Sequence, residues 1–157
     1  MFEKAKTYVI GILIPLAVGL LSAYLTRDNM NLYESIIKPN LAPPAVLFPI
    51  VWTILYILMG IGSAIIYNSD ANEKNKTQAL FIYALQLIVN FFWSIFFFNQ
   101  RAFLFSFIWL VILWFLIVAM IVSFEKINKT AAWLQVPYLL WATFAGYLNL
   151  MIYLLNQ

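Results

Sequence analysis

The strongest constraint on this chain is a set of five uncharged apolar stretches, each near the length needed to cross a bilayer. They run from about Thr7 to Thr26, Ala45 to Tyr67, Gln78 to Asn99, Ala102 to Phe124 and Thr130 to Leu155. A helix spanning the hydrocarbon core needs about 20 predominantly apolar residues. No Asp, Glu, Lys or Arg falls inside any of the five. Of the 157 residues 65% are hydrophobic and 10% charged, and the mean hydropathy is +0.91. One small aqueous core cannot hide that much apolar surface, so the expected solvent is lipid. Strands of a membrane barrel alternate apolar and polar residues over about ten positions. Here the runs are continuous, as from Phe103 to Val122. The prediction is an all-α integral membrane bundle of five transmembrane helices, with residues 1–157 as a single domain. The first stretch is too long for a signal-peptide core and no clear cleavage site follows it, so it is expected to be retained.

Composition removes several function classes. There is no Cys and no His, which excludes disulfides, thiolate or imidazole metal sites, and Cys or His catalysis. All six acidic residues lie in the leader or the connectors. Intramembrane ionisable groups mark ion and proton pathways, so an ion pump is not expected. The net charge of +3 comes from scattered Lys and Arg with no basic run; no nucleic-acid partner is expected.

The connectors carry the orientation. Lys4, Lys6, Lys74, Lys76, Lys126 and Lys129 fall on one side, and Arg27, Lys38 and Arg101 on the other. The positive-inside rule predicts a cytoplasmic N-terminus and an external C-terminus, in a cell membrane. One connector differs from the rest: residues 27–44 form a long segment with Pro39, Pro43 and Pro44 among apolar Leu32, Tyr33, Ile36, Ile37 and Leu41. Proline stiffens a segment, and the apolar residues let it pack onto the helix ends. It reads as a lid, with a plain solvated linker as the alternative.

Helical spacing gathers the remaining candidates. Trp52, Tyr56 and Met59 share a face of the second stretch. Gln86, Asn90, Trp93 and Phe97 form a stripe on the third, and Tyr138, Trp141, Ala145, Leu148 and Ile152 one on the fifth. Asn90 sits mid-span, where an amide needs either a partner helix or a ligand. Trp109 and Trp114 are expected to pack or face lipid, with partners for their indole N–H groups. Gly11, Pro15, Gly19 and Ala23 make a smooth strip on the first stretch, suited to close helix packing or to a flat ligand. Pro49 and Pro137 are expected to bend their helices and open space between them. The implied pocket is aromatic and apolar and suits a flat ligand held by stacking and one or two amide bonds.

These residues resemble a known family. Tyr33-Glu34-Ser35-Ile36-Ile37-Lys38-Pro39, Pro43-Pro44, Phe48-Pro49-Ile50-Val51-Trp52-Thr53-Ile54-Leu55-Tyr56 and Met59-Gly60 resemble the translocator protein family, TspO/MBR, also called tryptophan-rich sensory proteins or peripheral-type benzodiazepine receptors. Asn90-Phe91-Phe92-Trp93-Ser94 resembles its third-helix motif, and Pro137-Tyr138-Leu139-Leu140-Trp141 with Phe144-Ala145 and Leu148-Asn149 its fifth-helix motif. The resemblance, to a bacterial member, implies a five-helix bundle, often a homodimer, that takes tetrapyrroles such as protoporphyrin IX and isoquinoline-carboxamide or benzodiazepine ligands. Mapped motif onto motif, it implies a pocket of Tyr33, Pro43, Phe48, Trp52, Tyr56, Asn90, Trp93, Trp141, Ala145 and Leu148. Ala23 is added from the smooth strip. Leu32 stands where the family has Trp, and Tyr153 is followed by Leu154, Leu155, Asn156 and Gln157 without the basic residue of a sterol motif, so specific sterol recognition is not expected.

Three functions compete. The first is a receptor or carrier for tetrapyrroles. The second is an enzyme that degrades protoporphyrin with light and oxygen, the porphyrin serving as substrate and chromophore and Trp52 and Trp141 as oxidisable catalytic groups. The third is a membrane scaffold with no small ligand. No covalently held cofactor is implied, and haem iron ligation is not expected without His or Cys.

Overall fold

The computed structural model describes residues 1–157 and is all-helical. Its elements are α1 (Phe2–Thr26), α2 (Leu32–Ser35), α3 (Leu47–Tyr67), α4 (Glu73–Ser94), α5 (Phe103–Glu125), α6 (Lys129–Trp133) and α7 (Val136–Leu155). A π turn, Ile95–Asn99, continues α4, and α6 with α7 makes up the fifth span. Five units are long and apolar enough to cross a membrane. The chain is a multi-pass membrane bundle.

The surface confirms which solvent the bundle is built for. Leu20, Phe81, Phe115 and Leu140 are all more than 60% exposed, while the amides Gln86, Asn90, Gln135 and Asn149 are at most 2% exposed. Apolar groups outside and hydrogen-bonded amides inside is the arrangement lipid favours, because unpaired polar groups are costly there. Both ion pairs, Arg27–Asp28 and Lys76–Glu73, lie outside the uncharged stretches.

Several boundaries differ from the sequence expectation. The first helix begins at Phe2, not Thr7, because the charged leader is also helical and Thr7 Oγ1 donates to the Glu3 carbonyl at 2.9 Å. The third begins at Glu73, capped by Asn72, whose side chain accepts from Asn75 N–H at 2.9 Å. The expected lid loop contains the helical turn α2. The proline expectation needs correcting most. Pro137 is the second residue of α7 and Pro49 the third of α3. In a first turn the missing N–H had no intrahelical partner to lose. The fifth span is broken instead at Leu134–Gln135, between α6 and α7. The one proline beyond the first turn of a helix is Pro15 of α1.

Helix α1 lies along α3, α4 along α5, and α5 along α6 and α7; α1 also touches α4. Glycine sets the α1–α3 distance. A Cβ on Gly60 would come within 2.5 Å of the Gly11 carbonyl oxygen, and one on Gly11 within 2.9 Å of the Gly60 oxygen. Part of the smooth strip therefore does serve helix packing. Trp109 and Trp114 also find partners: their indole N–H groups donate to the Val89 carbonyl at 2.7 Å and to Thr143 Oγ1 at 2.8 Å.

Gly60→Leu should therefore force α1 from α3 and cost about 1–3 kcal/mol or more, as overpacking does. Gly146→Ala, where a new Cβ meets only Leu110 at 4.0 Å, should leave stability near native. Thermal unfolding of the two purified variants in detergent checks the contrast.

A lidded aromatic cavity as the candidate functional site

At the lid end of the bundle, α1, α2, α3, α4 with its π turn, and α7 enclose a cavity of about 230 Å³. No charged side chain lines it. Its character follows from which turns of each helix reach it.

Helix α3 supplies one wall. Phe48, Trp52 and Tyr56 recur every four residues and so share a face. Trp52 stacks on Tyr56 with ring centroids 5.5 Å apart and meets Tyr138 edge-on at 6.1 Å. Such pairs hold aromatic rings in defined orientations. Gly19 of α1 provides the space: a Cβ there would collide with the Tyr56 ring. The rest of the α1 wall is Leu16, Leu20, Ser22, Ala23 and Thr26.

Opposite, Trp93 stacks on Phe97 at 5.3 Å. The π turn carries Phe97 and Phe98 into the lining. The Trp93 indole N–H donates to Asn149 Oδ1 at 3.0 Å, Ser106 Oγ donates to the same oxygen at 3.1 Å, and Asn149 Nδ2 donates to the Phe103 carbonyl at 2.8 Å. One amide thus locks α4, α5 and α7 together behind the Trp93 ring. Ala145, Leu148 and Ile152 complete the α7 side.

The lid forms the roof. Tyr33 is buried, stands edge-on to Phe48 at 5.0 Å and donates its hydroxyl proton to the Pro43 carbonyl at 2.6 Å. Lys38 Nζ donates to the Tyr33 and Ile36 carbonyls at 2.7 and 3.3 Å and lies 5.0 Å from the Tyr33 ring centroid. Burial pushes the Tyr33 phenol above its ordinary value. It stays protonated, and able to donate, through the neutral range. A raised pKa contributes stability below the ordinary tyrosine value of about 10 and loses it as pH climbs through the higher folded value.

Eight of the eleven residues singled out from sequence line this cavity: Ala23, Tyr33, Phe48, Trp52, Tyr56, Trp93, Ala145 and Leu148. Three do not. Pro43 holds Tyr33 from behind through its carbonyl. Asn90 is 2% exposed and turns its amide to Tyr56, Nδ2 donating to Oη at 3.4 Å. Trp141 packs edge-on against Phe48 at 5.8 Å and beside Phe144 at 5.6 Å, and its indole N–H is buried without a partner. Sequence reasoning gave no role to Ser22, Thr26, Met30, Phe98 or Asn149. Asn149 is likewise an amide inside an uncharged span, nearer its end, and needs a partner for the same reason. Ser22 and Thr26 lie at helical spacing from Gly19 and Ala23.

Comparison with known proteins gives a family match over most of the chain. The TspO/MBR family model matches residues 11–155. The chain is 36% identical over 157 residues to a tryptophan-rich protein TspO of Chlorobaculum tepidum, covering 99% of each chain. It is 36% identical over 149 residues to a protein of that name from Archaeoglobus fulgidus, covering 94% of this chain and 95% of the other. It is 33% identical over 147 residues to a translocator protein of Bos taurus, covering 92% of this chain and 87% of the other.

Asn149→Ala would leave the Trp93 indole N–H without its partner, while Ser106 Oγ keeps the Phe103 carbonyl at 3.0 Å. It should cost about 1–3 kcal/mol, as one unsatisfied buried group does. Asn90→Ala, which removes one long bond to a tyrosine hydroxyl, should cost distinctly less. Thermal unfolding of the two variants side by side distinguishes them.

Proposed function

The chain belongs to the TspO/MBR family, and from that membership and its lidded cavity we propose a membrane receptor or carrier for flat, largely apolar ligands, tetrapyrroles such as protoporphyrin IX foremost. The observation that carries the reading is the pair of aromatic stacks, Trp52 on Tyr56 and Trp93 on Phe97, facing an uncharged space. Stacked rings offer a planar ligand large contact area in fixed orientation. Tyr56 accepts from Asn90, which leaves its own hydroxyl proton for a ligand acceptor. Asn90 then acts on the ligand through Tyr56. The cavity, at about 230 Å³, lies below the roughly 300–1,000 Å³ of typical ligand pockets. A small isoquinoline-carboxamide-type ligand needs little rearrangement, whereas a tetrapyrrole requires the lid or the aromatic walls to move. The positive-inside balance of six lysines against three cations supports a cytoplasmic N-terminus and an external lid. A homodimer is proposed on the family resemblance alone.

A light- and oxygen-dependent degradation of protoporphyrin is the second reading. Trp52 favours it, as an oxidisable ring in the cavity wall stacked on a tyrosine. Photoexcited porphyrin would be the sensitiser, molecular oxygen the oxidant and the porphyrin itself the substrate. Trp141, outside the lining, is the weaker candidate for a direct part in this chemistry. Under this reading Trp52→Phe keeps binding and loses the light-driven fall in porphyrin absorbance seen with the native chain.

Titration of purified protein with protoporphyrin IX in the dark tests the binding reading through tryptophan fluorescence. Quenching should saturate, and Trp52→Ala should weaken binding about tenfold or more, on the scale of about 1–3 kcal/mol per lost stack. Linear, non-saturable quenching equal in all variants would instead favour a scaffold without a small ligand. The same samples under light and in the dark separate carrier from enzyme.

A further inference from the structure

The lid is held in two different ways. Some of its bonds are internal and fix its shape: Tyr33 Oη to the Pro43 carbonyl, and Lys38 Nζ to the Tyr33 and Ile36 carbonyls. The others tie it to the bundle, and they are few. At its start, Arg27 Nη1 donates to the Tyr24 carbonyl of α1 at 2.7 Å, and Thr26 Oγ1 of α1 lies 3.7 Å from Met30 Sδ. Asn29 Nδ2 donates to Asn99 Oδ1 at 2.8 Å, while Asn99 Nδ2 itself holds the π turn to α1 through the Leu25 carbonyl at 3.1 Å. At its middle, the side chain of Asn156 embraces a single residue. The Ile37 N–H donates to Asn156 Oδ1 at 3.0 Å, and Asn156 Nδ2 donates back to the Ile37 carbonyl at 2.8 Å. The same Nδ2 also donates to the Ile152 carbonyl at 2.7 Å, at the end of α7. Ile152 lines the cavity.

We propose that Asn156 is the latch of the lid, and that exchange of ligand with the cavity is limited by release of the Asn156–Ile37 pair. The gating half of this rests on the binding function proposed above; the latch itself does not. Three features support it. The paired amide is the lid's only side-chain hydrogen bond to α7, and it lies above the α7 wall of the cavity. It sits in a partly exposed place, with Ile37 61% exposed, so water competes for both bonds and opening is local rather than global. The internal bonds hold residues 32–43 together as one body, which docks on the bundle through the buried Leu32 and Tyr33 side chains as well as through the amide pair.

Asn156 is a positioning residue, because it touches the lid and not the cavity. Asn156→Ala deletes both bonds to Ile37, and Asn156→Asp keeps the acceptor for the Ile37 N–H while losing the donor. Both also remove the bond to Ile152 and so disturb the end of α7. Ile37→Pro supplies the complementary change: it deletes the N–H from the lid side and leaves α7 alone, and Ile36 is already extended at ψ 157°, as a residue before proline must be.

The latch is read without ligand, by the rate at which a glutamate-specific protease cuts after Glu34 in the full-length protein in detergent. Cleavage there requires α2 to leave its docked position and unwind, because a protease cuts extended backbone and Glu34 lies inside the helical turn. All three variants should be cut faster, Asn156→Ala by about tenfold, the weight of roughly one net hydrogen bond. Rates within twofold of native for both Asn156→Ala and Ile37→Pro would overturn the latch. Acceleration in the Asn156 variants but not in Ile37→Pro would also overturn it, assigning Asn156 to the end of α7 alone. The gate is read by the dissociation rate of preloaded protoporphyrin IX, which should rise in the same order as cleavage. Faster cleavage with unchanged dissociation would overturn the gate and direct ligands out between α1 and α3, where Leu20, Ala23, Pro49 and Thr53 are exposed at the cavity's edge. A native chain that takes up no porphyrin would defeat the binding function while leaving the protease result to judge the latch.

Discussion

The structure depends on how closely α1 approaches α3. At Gly11 and Gly60 the two backbones touch, and neither position has room for a Cβ. Two turns along α1, Gly19 faces the ring of Tyr56 instead of backbone. Contact between the helices therefore passes from backbone on backbone to backbone on aromatic ring, and space appears just beyond that point. The cavity begins there, with Leu16, Gly19 and Tyr56 among its lining. A larger residue at Gly60 would affect every wall α1 and α3 contribute.

Lipid makes a second demand, and the interior amides meet it. A span without water has to satisfy each polar group internally. Asn149 does so for three elements at once, joining Trp93, Ser106 and the Phe103 carbonyl. Tyr138 donates to Gln86 Oε1 at 2.8 Å deeper in the bundle. These bonds fix the backs of the residues whose faces line the cavity or floor it. Rigidity behind the rings matters for a binding surface, because a stack is useful only if the ring already stands in its bound orientation. Four buried side-chain atoms are exceptions, the Trp141 N–H, Tyr83 Oη, Gln135 Oε1 and Asn68 Nδ2, each without a partner.

Much of this was legible in the sequence because lipid reduces folding to length, apolarity and helical phase. The five spans followed from uncharged runs of bilayer length, and the lid from prolines among apolar residues in one long connector. Helical phase also placed Trp52 and Tyr56 on one wall and Trp93 on the facing one. Phase gives direction and not depth, and this is where Asn90 misled. It shares the stripe of Trp93 and Phe97 but lies one turn further into the bundle, behind the hydroxyl of Tyr56. Trp141 shares the stripe of Ala145 and Leu148, yet Phe48 stands beside it while it stays outside the lining. The prolines misled for a related reason: a Pro inside an apolar run bends a helix only if the helix has already begun. No local pattern could reveal the Asn156–Ile37 pair, whose partners are 119 residues apart.

The size of the cavity ties these observations to the lid. A space of about 230 Å³ lies below the roughly 300–1,000 Å³ of typical ligand pockets, so a tetrapyrrole held there either displaces a wall or extends through the open edge between α1 and α3. The α3 wall is held by glycine-tight packing against α1, and the α4 and α7 walls by the Asn149 bonds. The lid is different. Its internal bonds preserve its shape, while it meets the bundle through the buried Leu32 and Tyr33, through Arg27 on the Tyr24 carbonyl, and through partly exposed amides, Asn29 with Asn99 and Asn156 with Ile37. Exposed amide pairs have low net stability because water replaces them readily. The walls are therefore built to stay and the roof to move, and the roof carries Tyr33, the aromatic ring that would close over whatever the walls hold.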